Sequence, residues 1–235
     1  MPKVSVIIPA YNAMAYLPET LESVLNQTFT DLEVLIINDG SPDGIVEWAS
    51  EIEDSRVQLI SQENQGLSGA RNTGIWSSQG KYLAFLDADD IWEAKKLEKQ
   101  VEYLEKHLDV GLVSSWIANV DRNGNFIDIY DCSEAEGDLT KELFRSNILY
   151  CGSTPLVRRI CFEKVGFFER SLSSAADWDM WLRIAVHFPI FVIQEPLVQY
   201  RRYPNSMSTN FRLMIQELDE VMERSFQSAP EELKC

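Results

Sequence analysis

The chain is poor in histidine, in positive charge and in long apolar runs. Its 235 residues include only His107 and His187, both in helical patterns away from the polar turns described below. Imidazole acid–base chemistry therefore has no candidate, and neither a Ser–His–Asp nor a Cys–His arrangement is suggested. The four cysteines, Cys132, Cys151, Cys161 and Cys235, form no CxxC pair, which argues against a zinc framework. Lysine and arginine number 21 against 37 acidic residues, a formal net charge of −16. Such a chain repels phosphate backbones and anionic lipid, so nucleic acid is not an expected partner. The charge reads first as a solubility device, and a phosphorylated ligand would need a divalent cation between it and the protein. No apolar stretch approaches the ~20 residues that span a bilayer. Lys3, a short apolar run and then Pro9 do not make a leader peptide. The expectation is a cytoplasmic, reduced protein, with any membrane contact peripheral. The terminal Pro230-Glu231-Glu232-Leu233-Lys234-Cys235 looks like the start of another helix, as in a chain truncated from a longer one.

What is present is a globular composition, 45% hydrophobic and 11% aromatic. The first half alternates strand and helix patterns. Apolar, β-branched runs at Val4 to Ile8, Leu32 to Ile37, Val57 to Ile60 and Tyr82 to Leu86 read as strands, the first stopped by Pro9. Helical spacing follows each: Leu17, Leu21, Val24 and Leu25; Ile45, Trp48, Ala49 and Ile52; Leu67 to Trp76; Leu97, Val101, Leu104 and Leu108. Alternation of this kind predicts a parallel sheet flanked by helices, with ligands bound outside the carboxyl ends of the strands. Those ends are polar: Tyr11-Asn12, Asp39-Gly40-Ser41 and Asp87-Ala88-Asp89-Asp90. The second half is less regular. It predicts strands at Val110 to Val120, Thr154 to Val157, Ile190 to Ile193 and Leu197 to Tyr200, and a hairpin turn at Asn123-Gly124. Helices are expected at Leu139 to Phe144, from near Asp177, and from Phe211 through Met222. The organisation expected is a donor-side unit over 1–109, a mixed unit over 110–210 and a C-terminal helix over 211–235.

Four polar segments could carry chemistry. Asp87, Asp89 and Asp90 repel one another unless a cation compensates, and hard oxygens at this density suit Mg²⁺ or Mn²⁺. The plainer reading is a turn in which Asp89 or Asp90 caps the next helix. An Asp-x-Asp at a strand end also fits phosphatases with an aspartate nucleophile, although those place it near the N-terminus. Asp39 could accept from a ribose hydroxyl or a base N–H, or could simply belong to a turn. Gly66-Leu67-Ser68-Gly69-Ala70-Arg71-Asn72 enters a helix, where N-terminal N–H groups and Arg71 attract phosphate; it is neither a Walker loop nor GxGxxG, and tight packing would also explain its glycines. Asp177 in Asp177-Trp178-Asp179 is a site residue or an N-cap, while Asp179 suits support of the helix start or a neighbouring cation such as Arg183.

Taken together and in order, Ser5-Val6-Ile7-Ile8-Pro9-Ala10-Tyr11-Asn12, Ile37-Asn38-Asp39-Gly40-Ser41, Asn64 to Asn72, Phe85-Leu86-Asp87-Ala88-Asp89-Asp90 and Asp177-Trp178-Asp179-Met180-Trp181-Leu182-Arg183 closely resemble glycosyltransferase family 2. The resemblance runs from residue 3 to about residue 210. It implies an α/β fold of the GT-A type, with a Rossmann-like, mostly parallel sheet and a smaller acceptor-side subdomain. It further implies inverting transfer of a sugar from a nucleotide-sugar, usually a UDP-sugar, as in polysaccharide biosynthesis. By the same resemblance Pro9, Tyr11 and Asn12 line the nucleotide pocket and Asp39 holds base or ribose. Gly66, Arg71 and Ala88 lie near the nucleotide, Asp87 contacts ribose or sugar, Asp89 ligates the metal, and Asp177 is the catalytic base. Two positions depart from the family. Ala176 stands where many members carry Glu. Tyr203, in Tyr200-Arg201-Arg202-Tyr203-Pro204-Asn205-Ser206, stands where a histidine often completes the metal site, so metal affinity without nucleotide should be weak and Arg201 or Arg202 could share the neutralisation. The alternatives are a catalytically degenerate nucleotide-sugar-binding or scaffold protein and, far behind, a dehydrogenase or phosphatase. The acceptor is left open among carbohydrate, lipid-linked and protein hydroxyls. The C-terminal helix is read as core packing before a membrane contact or a homo-oligomer face.

Overall fold

The computed structural model describes residues 1–131, 138–204 and 211–228. Cys132, Cys235, Asn205, Ser206 and the terminal segment from Pro230 lie outside the described residues. In chain order the elements are β1 (Val4–Ala10), α1 (Leu17–Leu25), β2 (Leu32–Asp39), α2 (Ile45–Ala49), β3 (Val57–Gln62), α3 (Gly66–Ser77), β4 (Tyr82–Phe85), β5 (Ile91–Trp92) and α4 (Lys96–Lys106). They continue with β6 (Leu112–Val120), β7 (Phe126–Tyr130), α5 (Thr140–Arg145), β8 (Leu156–Arg158), α6 (Arg159–Val165), α7 (Ala176–Ala185), β9 (Ile190–Arg201) and α8 (Phe211–Ser228).

One sheet runs in the order β3-β2-β1-β4-β8-β6-β9-β5, with β7 paired to β6 off this path. β3, β2, β1 and β4 are mutually parallel. β8 runs antiparallel between β4 and β6, and β9 returns parallel to β6. The period-two alternation of the strands explains how both faces are covered. Ile7, Leu35, Ile37, Leu83 and Phe85 point to the face packed by α3, α5, α6 and α7. Val6, Ile8, Val34, Ile36 and Ala84 point to the face packed by α1 and α4. α8 lies against the first of these faces: Val221 is fully buried in it and Leu218 packs beside it, which agrees with core packing.

The structure departs from the sequence reading at several points, among them a short unexpected strand, β5 (Ile91–Trp92). β1 continues through Pro9 to Ala10, because β4 pairs with β1 only as far as Ile7, so an absent N–H at Pro9 costs no bond on that side. The two strands expected at 190–193 and 197–200 are one strand, β9. Its register against β6 slips where Trp116 meets Pro196, a bulge at a residue that cannot donate to the ladder. α6 was not expected at all. Neither Asp89 nor Asp90 caps the following helix, whose N-cap is Lys95. No helix of the described residues is long and apolar enough to cross a membrane.

Candidate functional site: two cavities sharing one aspartate

The carboxyl ends of β1, β2 and β4 open on a cavity of about 560 Å³. Pro9, Tyr11, Asn12, Asp39, Gly66, Asp87, Ala88 and Asp89 all line it, with Tyr16, Asn64, Tyr200 and Tyr203. The loops are drawn in by specific bonds. Asn12 takes a positive φ of 52°, tolerable for asparagine, and its N–H donates to Ser41 Oγ at 2.8 Å. Ser41 Oγ donates to Asp43 at 2.5 Å. Gly40 (φ 71°) is required by contact, since a Cβ there would meet the Asn64 backbone nitrogen at 2.9 Å. Asp39 is nearly buried, and its Oδ1 accepts from the Gln62 side chain at 2.6 Å and from the Gln65 N–H at 2.9 Å. The carboxylate is thus fixed in orientation at the cavity wall.

The acidic cluster separates into three environments. Asp90 is buried; its Oδ2 accepts from Ser153 Oγ at 2.6 Å and its Oδ1 from the Arg201 N–H at 3.1 Å. Burial, then the charges of Asp89 and Asp87, push its carboxyl well above the ordinary range. It is a structural group. Asp89 accepts from the Tyr203 hydroxyl at 2.8 Å; burial raises its pKa first, the Asp87 charge second, and the Tyr203 bond opposes them. Asp87 accepts from Arg71 Nη2 at 2.8 Å, and its backbone N–H donates to Ser153 Oγ at 3.1 Å. Ser153, from the second half of the chain, therefore ties the two outer aspartates of the cluster to one hydroxyl. Arg201 supports the same loop by donating to the Asp89 carbonyl at 2.9 Å and to Glu19 at 2.7 Å.

Arg71 does not line the larger cavity. It is almost wholly buried, and Gly152 lies so close that a Cβ there would be 2.3 Å from Nη2. With Asp87 and Asp177 it lines a second cavity of about 240 Å³, which shares Asp87, Leu67 and Tyr200 with the first. Asp177 sits in the first turn of α7, not at the N-cap, which is Ala175. Its Oδ1 accepts the Trp178 N–H at 2.7 Å. Burial raises its pKa to about 6 against the opposing charge of Arg71. Asp179 instead pairs with Arg183 one turn on, at 2.9 Å. α7 has no side-chain cap of its own. Glu217 of α8 serves in its place: Oε1 accepts from the Ser173 N–H at 3.0 Å and Ser173 Oγ at 2.7 Å, and Oε2 accepts from the Ala175 N–H at 2.9 Å. Ser153 and Glu217 were not singled out in the sequence. Both act across more than 40 residues, and neither lies in a local pattern.

The donor set tests whether a divalent cation fits. Among the described residues no three metal-capable side chains meet. Asp90 is committed to Ser153 and Arg201, and Asp87 pairs with the Arg71 cation, whereas Asp89 at the cavity wall is bonded to the neutral Tyr203 hydroxyl. One carboxylate with phosphate oxygens and water is an ordinary Mg²⁺ or Mn²⁺ environment, so the residues fit a cation whose other ligands are supplied by a bound phosphate and water. Both histidines are exposed. Cys151 and Cys161 are buried free thiols with raised pKa values, so neither is an activated nucleophile.

Comparison with known proteins follows this geometry. Residues 5–166 match the model of "Glycosyl transferase family 2". An uncharacterized glycosyltransferase of Methanocaldococcus jannaschii is 33% identical over 224 residues, covering 92% of this chain and 76% of that protein. Chondroitin synthase of Escherichia coli is 32% identical over 235 residues, covering 99% of this chain but 33% of the synthase. Among solved structures, S. aureus TarS 1–349 in complex with UDP-GlcNAc superposes with a TM-score of 0.79 at 21% identity, over 97% of this chain and 67% of TarS 1–349. Mannosyltransferase PcManGT of Pyrobaculum calidifontis, in complex with GDP-Man and Mn²⁺, gives 0.75 at 21% identity, over 99% of this chain and 67% of PcManGT. The α/β fold is thus that of GT-A glycosyltransferases.

Proposed function

The chain belongs to glycosyl transferase family 2, and from that premise we propose that it transfers a sugar, with inversion, from a nucleoside-diphosphate sugar to an acceptor hydroxyl. The observation that carries the reading is the shared wall: Asp87 lines both a nucleotide-sized cavity and the smaller one that holds Asp177. The donor takes the larger cavity, its base or ribose against Asp39, its diphosphate against Ala88 and Asp89, and its sugar toward Asp87. The acceptor hydroxyl enters the smaller cavity. Asp177 removes its proton as the oxygen attacks the anomeric carbon, and the bond from that carbon to the diphosphate oxygen breaks with its electron pair. A pKa of about 6 leaves this carboxylate mostly charged at neutral pH and still basic enough to assist. One displacement needs no protein nucleophile, consistent with the inert thiols. A divalent cation held by Asp89 and the diphosphate would neutralise the leaving group's charge.

UDP-sugars are the first donors to try, given the UDP-GlcNAc complex of TarS, and GDP-mannose the next, given that of PcManGT. Thermal shift with UDP, with and without Mn²⁺, followed by a donor panel, tests the proposal. Stabilisation is expected only when nucleotide and metal are both present; equal shifts without metal would remove the cation from the mechanism. The Tyr203–Asp89 hydrogen bond favours one rival, a nucleotide-sugar-binding protein without turnover. Nucleotide binding with neither transfer nor donor hydrolysis would select it.

A further inference from the structure

Helix α3 buries a serine and an asparagine one turn apart, Ser68 and Asn72, each 2% exposed. Neither is a favoured residue inside a helix, and buried polar side chains are kept where their bonds are made. Both reach across the chain to one loop. Asn72 Nδ2 donates to the Phe168 carbonyl at 2.9 Å, and the Phe168 N–H donates to Asn72 Oδ1 at 2.8 Å. Ser68 Oγ donates to the Leu172 carbonyl at 2.8 Å. An apolar pair would also pack α3 against this loop, but it would not fix which backbone group lies opposite which turn. The amide does, because its donor and its acceptor both go to one residue.

The two ends of this link meet the two cavities. On one side α3 is seated hard on β1: a Cβ at Gly74 would lie 2.3 Å from Ile7 Cγ2. Its first turns put Gly66, Leu67 and Ala70 in the wall of the larger cavity and Arg71 against Asp87. On the other side the loop runs straight into α7. The Phe168 ring packs edge-on against Trp181 at 5.9 Å, one helical turn after Asp177. The same loop is gripped from α8, where Glu217 holds Ser173 and Ala175. The segment that delivers Asp177 is therefore pinned to α3 at Phe168 and Leu172 and to α8 at Ser173 and Ala175. The pins from α3 are the ones that refer it to the larger cavity.

On the reading given under Proposed function, we infer that Asn72 and Ser68 are positioning residues for the reaction, setting the Asp177 carboxylate at a fixed place relative to a donor bound at the start of α3. Neither is among the residues lining either cavity, so neither touches substrate, and their effect on the chemistry runs through Asp177. Misplacing a reacting group by about 1 Å can cost on the order of a hundredfold in rate. Bonds that hold one backbone residue in place thus act on turnover without acting on nucleotide affinity.

The Trp178 N–H donates to Asp177 Oδ1, so its amide NMR signal reports the place of that carboxylate without any acceptor. In the full chain with UDP and Mg²⁺, Asn72→Ala should move this signal and speed its hydrogen exchange by about tenfold or more. Ser78→Ala, which removes a buried bond at the far end of α3, should do neither. With the donor that the panel selects, Asn72→Ala should lower turnover by about ten- to a hundredfold at unchanged UDP affinity, which also reports that the variant folds. Ser68→Ala should act in the same sense by about three- to tenfold, and carries the test if Asn72→Ala does not fold. In an Asp177→Asn background Asn72→Ala should cost no further turnover, since both changes remove one function. The inference is overturned if the Trp178 signal stays in place, or if the two losses multiply as those of independent sites do. Wild-type turnover in Asp177→Asn would overturn the base assignment itself and the positioning role with it, whereas an unmoved Trp178 signal would overturn the positioning role alone.

Discussion

The two cavities are built in different ways. The larger cavity is made mainly from the ends of three neighbouring parallel strands and the loops that follow them at once, between Pro9 and Asp89, with Tyr200 and Tyr203 added from the end of β9 and just after it. The smaller cavity is assembled from residues as far apart as Leu67 and Leu218. Asp177 sits on a helix whose cap comes from another helix. On the proposed function, donor binding depends mainly on one local set of strand ends and acceptor binding on long-range packing, so a change in that packing should disturb acceptor use before nucleotide binding.

Three substitutions test that division. Asp177→Asn should lower turnover by about 10²–10⁴-fold and leave UDP affinity unchanged; a parallel loss of UDP binding would mean the cavities are not separable. If Asp177 is the base, its active form is the carboxylate, whose pKa is raised to about 6. Turnover should therefore rise with pH through about 6 and level off above it, a profile absent from the residual activity of the variant.

Next in size is Glu217→Ala. It orphans three donors, the Ala175 N–H fully buried and the two of Ser173 partly so, and should cost about 2–3 kcal/mol of stability, measured by urea unfolding. Turnover should fall further than with Val221→Ala, which loosens the same helix without touching the cap. Equal turnover at temperatures where both variants are folded would show that α8 only adds stability. UDP affinity should be the same in both.

The smallest effect is expected inside the donor cavity. Tyr203→His replaces a hydroxyl that occupies Asp89 with an imidazole able to ligate. Mn²⁺ affinity in the absence of nucleotide, followed by calorimetry, should rise on the order of tenfold. No gain would mean that Tyr203 is too far from the cation to matter.

The same division decides what could be read in advance. β1 to β4 and the residues at their ends were legible because hydrophobic period, turn residues and site residues coincide within each segment. Asp39 and Asp89 both reach the wall of the larger cavity for that reason. Asp90 was grouped with its neighbours because sequence cannot show that Ser153 and the Arg201 N–H bury it. The ion pair of Arg71 with Asp87 left no trace in the sequence, since the two residues lie in separate segments. Ser153 and Glu217 left no local trace at all, since a lone serine and one glutamate among several on a helix look like surface. The bulge that unites β9 was hidden because Pro196 reads as a break.

The bond from Ser153 to the acidic turn carries a lesson for recombination. A hybrid that grafts this nucleotide-binding front onto a different acceptor-recognising back would look divisible near residue 110. Yet the turn over 87–90 is held from behind by Ser153 and Arg201. A donor module exchanged between relatives must therefore travel with those two distant residues, or be given substitutes for them, if its carboxylates are to arrive in working order.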